Sequence, residues 1–202
     1  MNAKGQSIIS AIYAHKEGYG SVHPWFLGLR KRGLNPLFIS MDGERTVMHA
    51  VRTVWPENRI QRCLYHIQHE GMRWLRTYPK TQAGRELRSI LGALCAIKSF
   101  KERNLFIETY RVWLDKYKSF VRSLPRTTVA FKDLKRTMGL INNALPNMFH
   151  YLNNPTVPST TNSIESFYSR LKADYRRHRG LTQKNKINYL KWYCYYKNIN
   201  KT

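Results

Sequence analysis

Carboxylates are scarce in this chain. Its 202 residues hold 12 Asp and Glu against 35 Lys and Arg, a formal net charge of +23 with a pI near 10.3. That balance argues against a cationic partner and points to a phosphate-rich one. Cysteine is scarce too. Cys63, Cys95 and Cys194 stand far apart, which excludes a disulfide framework and fits a reducing compartment. No apolar run approaches the ~18–20 residues of a membrane-spanning helix, so no membrane role is expected. The stretch Ser-Ile-Ile-Ser-Ala-Ile-Tyr-Ala at 7–14 has no charged cluster before it and no small-residue cleavage site after it. It reads as a buried strand and not as a secretory signal core. A Gly-rich phosphate loop, a glycine-flanked nucleophile elbow, internal repeats and low-complexity tracts are all missing.

What is present suffices for a packed core. Hydrophobic residues make up 42% of the chain and aromatics 13%, which fits one medium domain or a core with one large insertion. The charge is uneven. Residues 1–60 carry 8 basic and 4 acidic groups, whereas residues 121–202 carry 15 and 3. The expected polyanion is nucleic acid, and the C-terminal stretch is where it should bind.

Residues 7–14 and 37–41 read as strands, and 59–64 as a third, each rich in β-branched or aromatic residues. Trp25, Phe26 and Leu29 have helical spacing in a segment that stops at Gly33, and 44–54 form a short helix closed by Pro56. Strands alternating with short helices predict a parallel α/β layer. After His66 the pattern turns helical: apolar stripes run along 83–94 and 105–121, with a further helix near 131–144. The helix from about 162 puts Ile164, Phe167, Tyr168, Leu171 and Tyr175 on one face, with Glu165, Ser169, Lys172 and Arg176 on a stripe beside it. Thr182 caps a last helix rich in Tyr, Trp and Lys, which either packs on the core or stacks on bases.

Two of the few carboxylates stand at element ends. Asp42 closes the apolar run 36–41 and is followed by Gly43, and Glu165 sits on the first turn of the basic helix. Ligands in open α/β sheets bind at the carboxyl ends of strands. A carboxylate pair could hold Mg²⁺, which takes hard oxygen ligands and suits phosphoryl chemistry on a polyanion. Each residue also has a plainer reading. Asp42 could cap the following helix, and Asn162-Ser-Ile-Glu165 has the form of a capping box. Cys63-Leu-Tyr-His66 supplies half of a zinc pattern, with only His69 nearby.

The ordered series is more specific than its parts. Ser-Met-Asp42-Gly, Ile-Gln-Arg-Cys63-Leu-Tyr-His66-Ile-Gln, Leu-Pro-Asn-Met-Phe-His-Tyr-Leu at 145–152, Thr-Thr-Asn162-Ser-Ile-Glu165-Ser-Phe and His178-Arg-Gly-Leu together resemble the Mutator-like transposases of bacterial insertion sequences. The resemblance implies an α/β, RNase H-like domain with a helical insertion and a D-D-E triad that holds Mg²⁺ or Mn²⁺ and cuts and joins DNA. Asp42 matches the second Asp, Glu165 the Glu, and Cys63 with His66 the C-x2-H signature. It further implies DNA (element ends and target) as partner, a homo-oligomer, and a bacterial cytoplasmic, nucleoid-associated location. The implied layout is an RNase H-like sheet portion over 1–66, the helical insertion over 67–158, and basic helices over 159–202 that complete the domain.

The first Asp of such a triad has no match. Glu17, in a Gly-rich turn, is the only acid upstream of Asp42. The expectation is therefore the C-terminal part of a D-D-E domain, lacking the first Asp and the N-terminal DNA-binding region. The alternative is a non-catalytic basic DNA-binding remnant whose carboxylates only cap helices.

Two outcomes are expected. DNA binding should be led by Lys172, Arg176, Arg177 and Arg179. If about 6 phosphates are neutralised, log K should fall with log salt at a slope near −5, and a flat dependence would exclude nucleic acid. The purified chain alone should not cleave or join DNA with Mg²⁺ or Mn²⁺. Robust nicking that disappears in Asp42→Asn would show that its two carboxylates suffice.

Overall fold

Two short runs of chain meet across a helical crossover. The computed structural model describes residues 1–2, 7–16, 18–178 and 180–199. Within them β1 (Phe38–Met41) pairs in parallel with β2 (Arg59–Arg62), in the register Phe38↔Arg59 to Met41↔Arg62. The crossover is α2 (Arg45–Val54), which buries Ala50, Val51 and Val54. Helix α1 (Tyr19–Lys31) packs beside it, and Leu29, Met41, Val51, Val54, Trp55 and Ile60 make one small core. Gly33 ends α1 as the sequence predicts. Its φ of +88° is open to glycine at little cost, and it lets Leu34 N–H reach back to Leu29 O at 3.1 Å.

Residues 7–14 do not form the expected strand. A strand needs a neighbour to take its N–H and C=O groups, and the sheet among the described residues consists of β1 and β2. Side chains take that role in part. The Asn198 amide accepts from Ile8 N–H at 2.7 Å and donates to Ile8 O at 2.9 Å, while Ser10 Oγ accepts from Trp25 Nε1 at 3.0 Å. Ile9 and Ile12 remain half exposed. The third expected strand is shorter than 59–64, because Cys63 already serves as N-cap of the next helix. The fold is thus α/β with helix predominating.

The helical block has its own, larger core. It comprises α3 (Leu64–Leu75), α4 (Gln82–Gly92), α5 (Phe100–Ser123) and α6 (Val129–Ala144). Leu64, Ile67, Leu87, Leu91, Phe106, Tyr110, Trp113, Leu134 and Ile141 are buried together, and Leu87, Leu91, Phe106, Tyr110 and Trp113 among them belong to the predicted stripes. A Ser99–Glu102 capping box opens α5. Helix α3 joins the two parts: it leaves β2 directly and buries Leu64 and Ile67 in the helical core. A boundary at 66/67 falls inside it. After a short α7 (His150–Asn153), the chain returns to the sheet before α8 (Asn162–Tyr175) and α9 (Gln183–Ile199).

A buried amide fastens the block to the sheet. Gln61 is fully buried on β2. Its Nε2 donates to Met148 O at 2.6 Å and Arg62 O at 2.8 Å, and its Oε1 accepts from Tyr151 N–H at 3.2 Å. The Leu-Pro-Asn-Met-Phe-His-Tyr-Leu stretch is therefore the segment that meets this side chain. Replacing the amide by an isosteric apolar group removes the partner of three backbone groups. We expect Gln61→Leu to lower the unfolding free energy by about 1–3 kcal/mol. Urea denaturation checks this, and an unchanged midpoint would contradict the role given to Gln61.

Candidate functional site

The two strands end side by side. Because Met41 pairs with Arg62, and Cys63 N–H donates to Met41 O at 2.8 Å, Asp42 and Cys63 leave the carboxyl edge of the sheet as neighbours. Parallel strands lie about 4.8 Å apart, so the two residues start from adjacent points. Asp42 is exposed, and its Oδ1 accepts from Glu44 N–H at 3.1 Å. The cap of α2 is Glu44, whose carboxylate accepts from Val47 N–H at 2.8 Å. Hydrogen bonding, from the Thr46 hydroxyl first and backbone N–H groups after it, holds the Glu44 carboxyl below the usual range. The capping role open to Asp42 has gone to its neighbour.

Gly43 makes the turn possible and Arg62 fills the space it leaves. Gly43 has φ +98°, and a Cβ there would lie 2.0 Å from the Arg62 guanidinium carbon. Arg62 is buried and its Nη2 donates to Asp42 O at 3.0 Å, while its Nε is buried with no partner. Burial pushes the guanidinium below its ordinary value, and the Asp42 carboxylate opposes that shift. A buried cation therefore lies directly under the Asp42 turn.

Residues 157–161 bring the third element. Val157 is buried, Ser40 Oγ donates to Pro158 O at 3.0 Å, and Leu64 N–H donates to Ser159 O at 2.9 Å. Thr161 N–H then donates to Cys63 Sγ at 3.3 Å. These contacts set the start of α8 against the end of β2. The N-cap is Thr161, without a side-chain cap bond, so the Asn162–Glu165 capping box of the plainer reading is not formed. Instead Thr161 Oγ1 donates to Glu165 Oε1 at 2.6 Å. The same hydroxyl lies 3.3 Å from Cys63 Sγ and 3.5 Å from His66 Nδ1, and His66 Nδ1 is 3.5 Å from Glu165 Oε1.

Glu165 thus sits with the Cys63–His66 pair. Among the described residues these three form the group of metal-capable side chains, their ligand atoms all within 4.8 Å of one another. Cys63 is buried, whereas the His66 and Glu165 side chains are 31% and 40% exposed. Asp42 is not in that group. Its carboxylate and that of Glu165 are hard oxygen donors of the kind Mg²⁺ takes, whereas the Cys63 thiol and His66 imidazole are not.

The cationic residues lie farther along α8. Lys172, Arg176 and Arg177 are exposed, Arg177 with Asp174 Oδ1 at 3.8 Å. Arg179 lies outside the described residues. Helix α9 has no buried residue among those described: Trp192, Tyr195 and Tyr196 are all more than half exposed. It meets α8 through Tyr193, whose OH donates to Asp174 Oδ2 at 3.0 Å. Thr161 and Arg62 were given no site role from the sequence. The one hint for Thr161 is its spacing, a hydroxyl residue four positions before Glu165 at a helix start; for Arg62, it is an arginine inside a strand next to Cys63.

No curated protein and no solved structure matches the chain. One family model does, described as Transposase, Mutator family, and it matches residues 2–184. That span takes in the sheet, the helical block, the return segment and α8. The chain belongs to the Mutator family of transposases.

Proposed function

We propose that the chain acts in DNA transposition through metal-dependent cleavage and strand transfer, with Asp42 and Glu165 as two carboxylates of the metal site. The observation that carries this reading is the convergence of three chain segments at the carboxyl edge of the sheet. Asp42 leaves β1 beside Cys63, and Glu165 is fastened to Cys63 through Thr161. In this reading β1 and β2 are neighbouring strands of an RNase H-like sheet, residues 67–158 are an insertion, and α8 and α9 complete the domain. Asp42 and Glu165 would hold Mg²⁺ or Mn²⁺, which activates an attacking water or hydroxyl and eases departure of the leaving oxygen.

The chain's own residues would position the DNA. Lys172, Arg176 and Arg177 are on or just past α8, downstream of Glu165 and exposed to a phosphate backbone. Positions 165 to 176 span about 16 Å of helix, enough for several phosphate contacts. Arg62 would hold the Asp42 turn rigid from beneath. Transposition brings two element ends together, which a homo-oligomer presenting two such sites would serve. No helix among the described residues is long and apolar enough to cross a membrane.

The competing reading, a basic DNA-binding module without catalysis, predicts no role for a divalent ion. Mn²⁺ titrated into the chain with a short DNA duplex at constant ionic strength separates the two. We expect Mn²⁺ to tighten DNA binding, and Asp42→Asn and Glu165→Gln each to remove most of that effect. Affinity without metal should stay the same or rise, as negative charge is removed near phosphate. Equal Mn²⁺ responses in parent and both variants would sink the carboxylate assignment and leave the binding module.

A further inference from the structure

Three polar side chains meet at the Thr161 hydroxyl. Its hydroxyl touches Glu165 Oε1 at 2.6 Å, Cys63 Sγ at 3.3 Å and His66 Nδ1 at 3.5 Å. A hydroxyl has one hydrogen to donate, and the shortest contact claims it. Cys63 Sγ receives the Thr161 backbone N–H in its place. His66 Nδ1 is left facing two oxygen atoms, Thr161 Oγ1 and Glu165 Oε1, at 3.5 Å each. A sulfur, a ring nitrogen and a carboxylate oxygen thus converge on one hydroxyl, and a cation at the centre would be held by all three side chains.

From this geometry we propose that Cys63, His66 and Glu165 form a zinc site. Zinc takes sulfur at about 2.3 Å, imidazole nitrogen at about 2.0–2.1 Å and carboxylate oxygen at about 2.0–2.2 Å, so a tetrahedron built on these bonds has edges of roughly 3.3–3.6 Å. The His66 Nδ1 to Glu165 Oε1 distance is 3.5 Å, already such an edge. No ligand pair exceeds 4.8 Å, so the widest gap closes by a movement on the order of 1 Å. Cys63 is the N-cap of α3 and His66 lies on its first turn, which fixes two ligands on one short, buried-edged element. Three protein ligands leave a fourth position for water or the Thr161 hydroxyl.

The donor types select the metal. Thiolate and imidazole favour zinc over magnesium, whereas Asp42 favours magnesium. The backbone N–H of Thr161 on Cys63 Sγ is an outer contact of the kind that orients a metal-bound ligand. On binding, the Cys63 thiol gives its proton to solvent, and the Thr161 O–H···Glu165 bond yields to the metal–oxygen bond. The site shares Glu165 with the proposed carboxylate pair but does not rest on it: it stands on these three side chains whether or not Asp42 binds metal.

Co²⁺, a spectroscopic stand-in for zinc, tests this on the full chain without DNA. We expect one Co²⁺ per chain, with a thiolate-to-cobalt charge-transfer band in the near ultraviolet and visible bands of a tetrahedral ion, all bleached by one equivalent of Zn²⁺. Cys63→Ser should lose the charge-transfer band. His66→Ala, at a part-exposed position with less risk to folding, should weaken Co²⁺ binding by at least about 10-fold. Asp42→Asn and the double substitution Cys95→Ser, Cys194→Ser should keep the band, the first separating this site from the carboxylate pair. A missing band, meaning that a proton on His66 and not a metal bridges to Glu165, would overturn the proposal. A band that survives Cys63→Ser would do the same.

Discussion

The candidate site depends on the docking of residues 157–161 across the ends of β1 and β2. Ser40, Cys63 and Leu64 each bind this segment, and the contacts join positions about a hundred residues apart in the chain. Two backbone amides, two carbonyls and two side chains are satisfied in one place, so the segment cannot shift without leaving several of them unpaired. Helix α8 starts where this docking leaves it. The position of Glu165 is therefore a consequence of how the strand ends are covered, and α8's own amphipathic pattern only orients its apolar face.

Polar groups inside the fold support the same arrangement from below. Gln61 ties β2 to the turn that closes the helical block, and Arg62 fills the hollow under Gly43. Both are buried and both lie within two positions of Cys63. Burying an amide and a guanidinium next to each other is costly unless their partners are fixed. Gln61 is fully bonded, whereas Arg62 keeps one unpartnered nitrogen. The strand that positions the site is thus also the most polar buried strand, which separates its role from that of the apolar helical core.

Charge and chemistry occupy different parts of the molecule. Asp42 and Glu165 lie at the sheet edge and the first turn of α8, while the exposed Lys172, Arg176 and Arg177 follow Glu165 along and past that helix. In the proposed reading, a polyanion drawn to the basic surface would be led along α8 toward Asp42 and Glu165. The acid-poor composition has the same sense, since scattered carboxylates would weaken that attraction.

The helices were legible because their signals are local. Apolar stripes at 83–94 and 105–121, the Gly33 stop and the Thr182 cap each involve residues within a few turns of one another, and each is where the periodicity put it. The parallel pair was legible in kind, through the strand–helix–strand alternation. Residues 7–14 were not, because β-branched composition marks a segment able to pair while pairing itself needs a neighbour that local sequence does not reveal. Asp42 and Glu165 stood out as rare acids at element ends, and Cys63 with His66 by spacing. The sequence by itself determined which side chains could do chemistry and that their partner is anionic. Only the tertiary structure decided that Glu165 joins Cys63, His66 and Thr161 rather than capping its own helix, because that choice rests on a loop closed over about a hundred residues, whose contacts carry no periodic trace in the chain.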